Sequence, residues 1–91
     1  MSLDEKFNEA AKTAREISDK VTKEEWMEVY ALYKQATEGD NYRGRPSMGD
    51  IRGKALWQAW FNLIGMDQCE AKEKYITFVE QLCQVHRTNL N

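Results

Sequence analysis

Three times in 91 residues the chain writes the same instruction for starting a helix: Ser2-x-x-Glu5, Thr22-x-x-Glu25 and Asp67-x-x-Glu70. In each, a side-chain oxygen stands at the N-cap and a carboxylate three positions later, so the first exposed amides of the helix find acceptors and a negative charge sits at the positive end of its dipole. The first two are complete capping boxes; the third uses Asp in the capping role. The remaining helix follows a loop from about Ile51 and is closed by Gly65. The spacing therefore predicts helices over about 3–18, 22–39, 51–64 and 68–86. An all-α, four-helix single domain spanning 1–91 follows from this pattern.

Apolar periodicity assigns faces to these helices. In the first, Leu3, Phe7, Ala10, Ala11, Ala14 and Ile17 share one stripe, half of it alanine, with Arg15 at its edge. In the second, Trp26, Val29, Tyr33 and Ala36 form an inward stripe, and Met27, Tyr30 and Lys34 form a mixed stripe roughly 60–100° away. The third is apolar around about 240° of its circumference, with Trp57 and Trp60 expected in the core. The fourth turns Ala71, Tyr75, Phe78, Val79, Leu82 and Val85 inward. Gly39 suits a left-handed cap, and residues 40–50, with Gly44, Gly49 and the only proline, Pro46, read as a loop. The tail from Arg87 is expected to fray.

Composition narrows the function classes. Net charge is −2, which argues against general nucleic-acid binding, where a basic surplus supplies affinity. Between Asn41 and Lys54, however, Arg43, Arg45, Arg52 and Lys54 face only Asp50, a local basic patch fit for a compact polyanion. No apolar run reaches the length of a membrane span, and the acidic amino terminus lacks a secretory h-region, so a cytoplasmic location is expected. Cys69 and Cys83 stand 14 positions apart in one helix. That is roughly 21 Å, too far for a disulfide, and reduced thiols are expected. His86 is the single histidine. With no nucleophile or paired carboxylate at a motif spacing, it is read as structural, and neither a metal site nor a catalytic residue is expected.

The most specific chemistry lies on the second helix. Tyr30 and Lys34 are one turn apart, with Tyr33 beside them. Two phenols and an ammonium suit a ligand with a flat ring and phosphates; two core aromatics and a solvated lysine would look the same by periodicity. The wider string separates the two: Tyr-x-x-Tyr-Lys-Gln-Ala-Thr-x-Gly-Asp from Tyr30 to Asp40, Arg45-Pro46, then Asp-x-x-Gly-Lys-Ala-x-Trp-x-Ala-Trp from Asp50 to Trp60. This resembles the acyl-CoA-binding protein family, over nearly the whole chain from Phe7 to Tyr75.

The resemblance implies a skewed up-down-down-up bundle, and a non-enzymatic carrier that binds and buffers medium- to long-chain fatty acyl-CoA esters, without cofactor. It implies that Tyr33 contacts adenine, that Tyr30 and Lys34 bind the ribose 3′-phosphate, that Arg15 and Lys54 meet phosphates, and that Tyr75 lies against the ligand. Phe7, Ala11, Met27 and Val29 match positions lining or bordering the acyl groove. Leu56 departs from the pattern, standing where the family usually has a lysine for the head group, so a weaker phosphate grip is expected. Other implied partners are transient, a membrane or acyl-CoA-using enzymes, and the monomer is the expected state. The rival reading is a helical protein-interaction or peptide-signalling module that carries no lipid.

Overall fold

The computed structural model describes residues 1–88. Four helices make up its regular structure: α1 (Leu3–Glu16), α2 (Lys23–Glu38), α3 (Ile51–Phe61) and α4 (Gln68–Thr88). Both capping boxes close. Ser2 Oγ accepts the Glu5 amide at 3.1 Å while Glu5 Oε1 accepts the Ser2 amide, and Thr22 and Glu25 exchange the same pair of bonds. Asp50 Oδ1 accepts the Gly53 amide at 2.8 Å, and Asp67 Oδ2 accepts those of Cys69 and Glu70.

Helix ends are set by competing acceptors and donors. α1 stops at Glu16, two residues short of the expected Ser18, because the Ser18 hydroxyl and amide both turn back to the Arg15 carbonyl. α3 stops at Phe61 and not Ile64. Beyond it the chain tightens into bonds between residues three apart, Leu63 to Trp60 and Ile64 to Phe61, while the Gly65 amide is taken by Asp40 Oδ1 at 2.8 Å. α4 runs two residues past His86 to Thr88; the rest of the expected fraying, at 89–91, lies outside the described residues.

α2 and α4 form the central pair; α1 packs on α4, and α3 packs on α2. A regular bundle would close its four helices into a ring, and this one is skewed. The core is Phe7, Ala10, Ala11, Ala14 and Ile17 of the α1 segment, Val29, Leu32 and Ala36 of α2, and Ala71, Tyr75, Val79 and Leu82 of α4. The small residues on α1, with Ala71 fully buried on α4, leave room for close helix approach. Val85 was expected inward and is 52 % exposed. The neighbouring position, 100° further round the helix, is taken instead by His86, whose Nε2 meets Glu25 Oε1 at 3.0 Å. That contact ties the end of α4 to the capping box of α2.

The turn after α2 is built on buried polar groups. Gln35 is wholly buried, and its Nε2 donates to Asp40 Oδ1 and to the Met66 carbonyl, both at 2.8 Å. Asn41 is buried too: Nδ2 donates to the Trp57 carbonyl, and Oδ1 accepts the Arg43 amide. Trp60 Nε1 donates to the Gly39 carbonyl at 2.8 Å, and Gln68 Nε2 donates to Ala36. Gly39 itself has φ 81° and ψ −150°, a region of backbone space that side chains oppose. Gly39→Ala is expected to cost about 1–3 kcal/mol. Urea denaturation followed by circular dichroism should show a lower midpoint with an unchanged slope; an unchanged midpoint would mean the turn is not held in this conformation.

Candidate functional site

The mixed stripe of α2 opens on a cleft of about 260 Å³ lined by Ala11 and Arg15 of α1, Trp26, Val29, Tyr30 and Tyr33 of α2, and Tyr75 of α4. Six of these seven are residues singled out from the sequence; they come from three helices and meet because α4 lies between the other two. Phe7 does not line the cleft; it is buried against two of its tyrosines. Its ring stacks on Tyr33 at 5.6 Å between centroids, with 18° between planes, and meets Tyr75 at 4.9 Å. Tyr33 and Tyr75 in turn stand 5.8 Å apart.

The environments of these phenols differ. Tyr33 was expected on the core face of α2, yet it is 39 % exposed even with Phe7 and Tyr75 beside its ring. Tyr75 is 2 % exposed. Burial pushes its hydroxyl up to about 12, with Tyr33 adding to the shift and Arg15 opposing it, so it remains a neutral donor at any physiological pH. Arg15 reaches the cleft from the solvent side of α1. The arrangement offers an exposed aromatic face, a guanidinium and phenol groups around one hollow.

Lys34 does not line the cleft, although it follows Tyr30 by one turn of α2. Its Nζ donates to Glu38 Oε2 at 2.8 Å and lies 5.9 Å from the centre of the Tyr30 ring and 5.7 Å from that of Trp60. The other oxygen of Glu38 accepts from Arg43 Nη2 at 2.8 Å. One carboxylate thus holds two cations. The Lys34 hydrogen bond is the main cause of a Glu38 pKa below the usual carboxylate range, with attraction from both cations adding to it.

Met27 and Leu56 lie apart from the tyrosine cleft. They line a second pocket of about 350 Å³ together with Ser18, Val21, Trp26, Arg52 and Ala55. Trp26 borders both hollows, so they are neighbours. Lys54 is exposed on α3 and lines neither. Trp26 was read from the sequence as core only. It is half-buried, and its spacing of four from Tyr30 was the signal that it belongs to the same edge. Glu38 was missed as well; its spacing of four from Lys34 marks it in the same way. Among the described residues, no group of three or more His, Cys, Asp and Glu is placed to hold a metal ion, and no helix is long and apolar enough to cross a membrane. Cys69 and Cys83 are unbridged thiols.

Residues 4–79 match the family model described as acyl CoA binding protein. An acyl-CoA-binding protein homolog from Drosophila melanogaster is 40 % identical over 80 residues, covering 88 % of this chain and 93 % of that protein. The acyl-CoA-binding protein of Saccharomyces cerevisiae is 43 % identical over 76 residues, covering 84 % and 87 %. The crystal structure of Oryza sativa acyl-CoA-binding protein 2 superposes with a TM-score of 0.91 at 36 % identity, over 96 % of this chain and 97 % of that one. With fold and sequence in agreement, the chain belongs to the acyl-CoA-binding protein family.

Proposed function

We propose that the protein binds fatty acyl-CoA esters and carries or buffers them, without catalysing a reaction on them. The observation that carries this reading is the convergence of Arg15, Tyr30, Tyr33 and Tyr75 on one cleft, in a chain whose relatives are named for acyl-CoA binding. The nucleotide head occupies the tyrosine cleft: adenine stacks on the exposed ring of Tyr33, Tyr30 and Lys34 take the 3′-phosphate, and Arg15 and Lys54 meet the remaining phosphates. Tyr75 closes the cleft from α4 with a proton to donate. The acyl chain runs along Ala11 and Val29 beside Phe7, and toward Met27 past Trp26. Burying each methylene contributes about 0.8 kcal/mol, so a chain of fourteen or more supplies roughly 10 kcal/mol before ordering costs. We read the carrier as a cytoplasmic monomer, a setting in which its two thiols stay reduced.

Head and tail together set the specificity. Free fatty acid lacks the head and free coenzyme A lacks the tail, so the ester should displace either. Tryptophan fluorescence in a competition between palmitoyl-CoA and palmitate tests this; equal displacement by the two would overturn the reading. Acyl-CoA should also raise the melting temperature, whereas a module devoted to binding proteins would not respond.

Leu56 limits the grip on phosphate. It is half-buried at the pocket shared with Arg52, and a lysine there can run its stem along the apolar wall and lift its ammonium to the mouth. A well-formed charge-assisted bond is worth about 1.5–3 kcal/mol. Leu56→Lys is therefore expected to tighten palmitoyl-CoA binding by about tenfold or more in titration calorimetry. No gain would mean that position 56 lies out of reach of the head group.

A further inference from the structure

We infer that the segment joining α2 to α3 is a docking surface for an anionic lipid bilayer. Three large apolar side chains project from ten residues of chain: Tyr42, Met48 and Ile51 are 85 %, 87 % and 77 % exposed. Residues 41–54 carry Arg43, Arg45, Arg52 and Lys54; Arg43 also meets Glu38 of α2, and the one carboxylate among these residues, Asp50, is engaged in capping α3.

The segment is braced from behind. The Arg43 carbonyl accepts Trp57 Nε1 at 2.8 Å, Asn41 is bonded to the Trp57 carbonyl, and the Arg43 and Arg45 guanidinium groups each lie 5.4 Å from an indole ring, those of Trp60 and Trp57. With its backbone anchored on α3, the loop holds its apolar tips in water without burying them against the body. Exposed apolar groups among cations fit a surface that is oily beneath and negative above. A polyanion such as nucleic acid would use the cations and leave the apolar tips idle. The chain as a whole is acidic, so its charge is polarised, and a negative surface would orient this end toward itself.

Arg52 also lines the pocket that holds Met27 and Leu56, so docking through this segment would bring that pocket to the lipid. This purpose rests on the carrier reading; the docking itself does not. Sedimentation of the full chain with vesicles of phosphatidylcholine, with or without phosphatidylserine, tests it. Binding is expected to the phosphatidylserine vesicles at low salt, to weaken as salt is raised, and to be much weaker to phosphatidylcholine alone. The double variant Met48→Glu/Ile51→Glu should lose vesicle binding by about tenfold or more. Its fold should be kept, since both positions are exposed and a carboxylate in the first turn of α3 favours the helix. Circular dichroism melting checks that, and calorimetry with palmitoyl-CoA in the absence of vesicles should give the wild-type affinity. Failure of the parent chain to sediment with phosphatidylserine vesicles at low salt, or equal binding by parent and variant, overturns the docking proposal. Failure of both proteins to bind palmitoyl-CoA overturns the carrier reading instead.

Discussion

Phe7→Ala is expected to lower the stability of the fold by about 3–5 kcal/mol, the range found when a buried phenylalanine is cut back to alanine. The ring is 5 % exposed and stands against both Tyr33 and Tyr75. Its loss removes the transfer energy of the ring and leaves a cavity bounded by two phenols and by α1. Neither the half-exposed Tyr33 nor the buried Tyr75 can collapse into that space without leaving its place at the cleft. A domain of this size has roughly 5–15 kcal/mol in total, so the variant should melt far below the parent. Phe7→Leu keeps most of the volume and loses chiefly the aromatic contacts, each worth about 0.5–1.5 kcal/mol. It should fall between the two. Chemical denaturation of the three proteins gives the order directly, and a cost for Phe7→Ala under about 1 kcal/mol would contradict the packing of α1 against the two tyrosines. Added palmitoyl-CoA should restore less stability to Phe7→Ala than to the parent, because the displaced tyrosines must be reordered for binding.

The second large effect concerns Lys34, and its partner decides how to read it. Lys34→Ala should weaken palmitoyl-CoA binding by about 10- to 100-fold, the equivalent of one lost charge-assisted phosphate contact of roughly 1.5–3 kcal/mol. In the ligand-free protein, however, Lys34 is held by Glu38 at 2.8 Å, and Glu38 is held in turn by Arg43. A phosphate must share or displace that carboxylate. The ion pairs are at the surface, where such pairs are worth about 0.2–1 kcal/mol, so a dianionic phosphate wins. The carboxylate still subtracts from its affinity. Glu38→Gln should thus tighten binding, by about two- to fivefold. Combining it with Lys34→Ala should abolish most of that gain, giving a measurable coupling in the double-mutant cycle. An ester of 3′-dephospho-coenzyme A should be nearly indifferent to both changes. If Glu38→Gln weakened the binding of the intact ester, the carboxylate would instead be holding Lys34 in the productive pose.

Much of the fold is legible because helix starts are local chemistry. Ser2, Thr22 and Asp67 each accept an amide two or three residues further on, and no distant contact is needed to say so. Helix ends were less legible. α3 stops at Phe61 under the influence of Asp40, 25 residues before the Gly65 amide it accepts, and no local pattern announces a partner at that separation. Gln35 and Asn41 were passed over for a related reason. Both are polar and short-range rules place them in water, yet each is buried by satisfying groups from α3 and the turn that follows it.

The candidate site shows the same division. Periodicity placed Tyr30, Tyr33 and Lys34 on neighbouring edges of one helix, and the family string assigned them, with Arg15 and Tyr75, to one ligand. It could not tell that Tyr33 is partly exposed, that Trp26 stands between two hollows, or that Lys34 already has a partner. Angles around a helix axis are fixed by the 3.6-residue turn, so sequence alone determined which residues share a stripe, where each helix begins and what kind of ligand the stripe suits. Only the tertiary structure decided which stripes are covered. That depends on α4 lying between α1 and α2 while α3 packs on the far side of α2, and the cover a neighbour provides is a property of the helix pair, which neither helix carries in its own sequence.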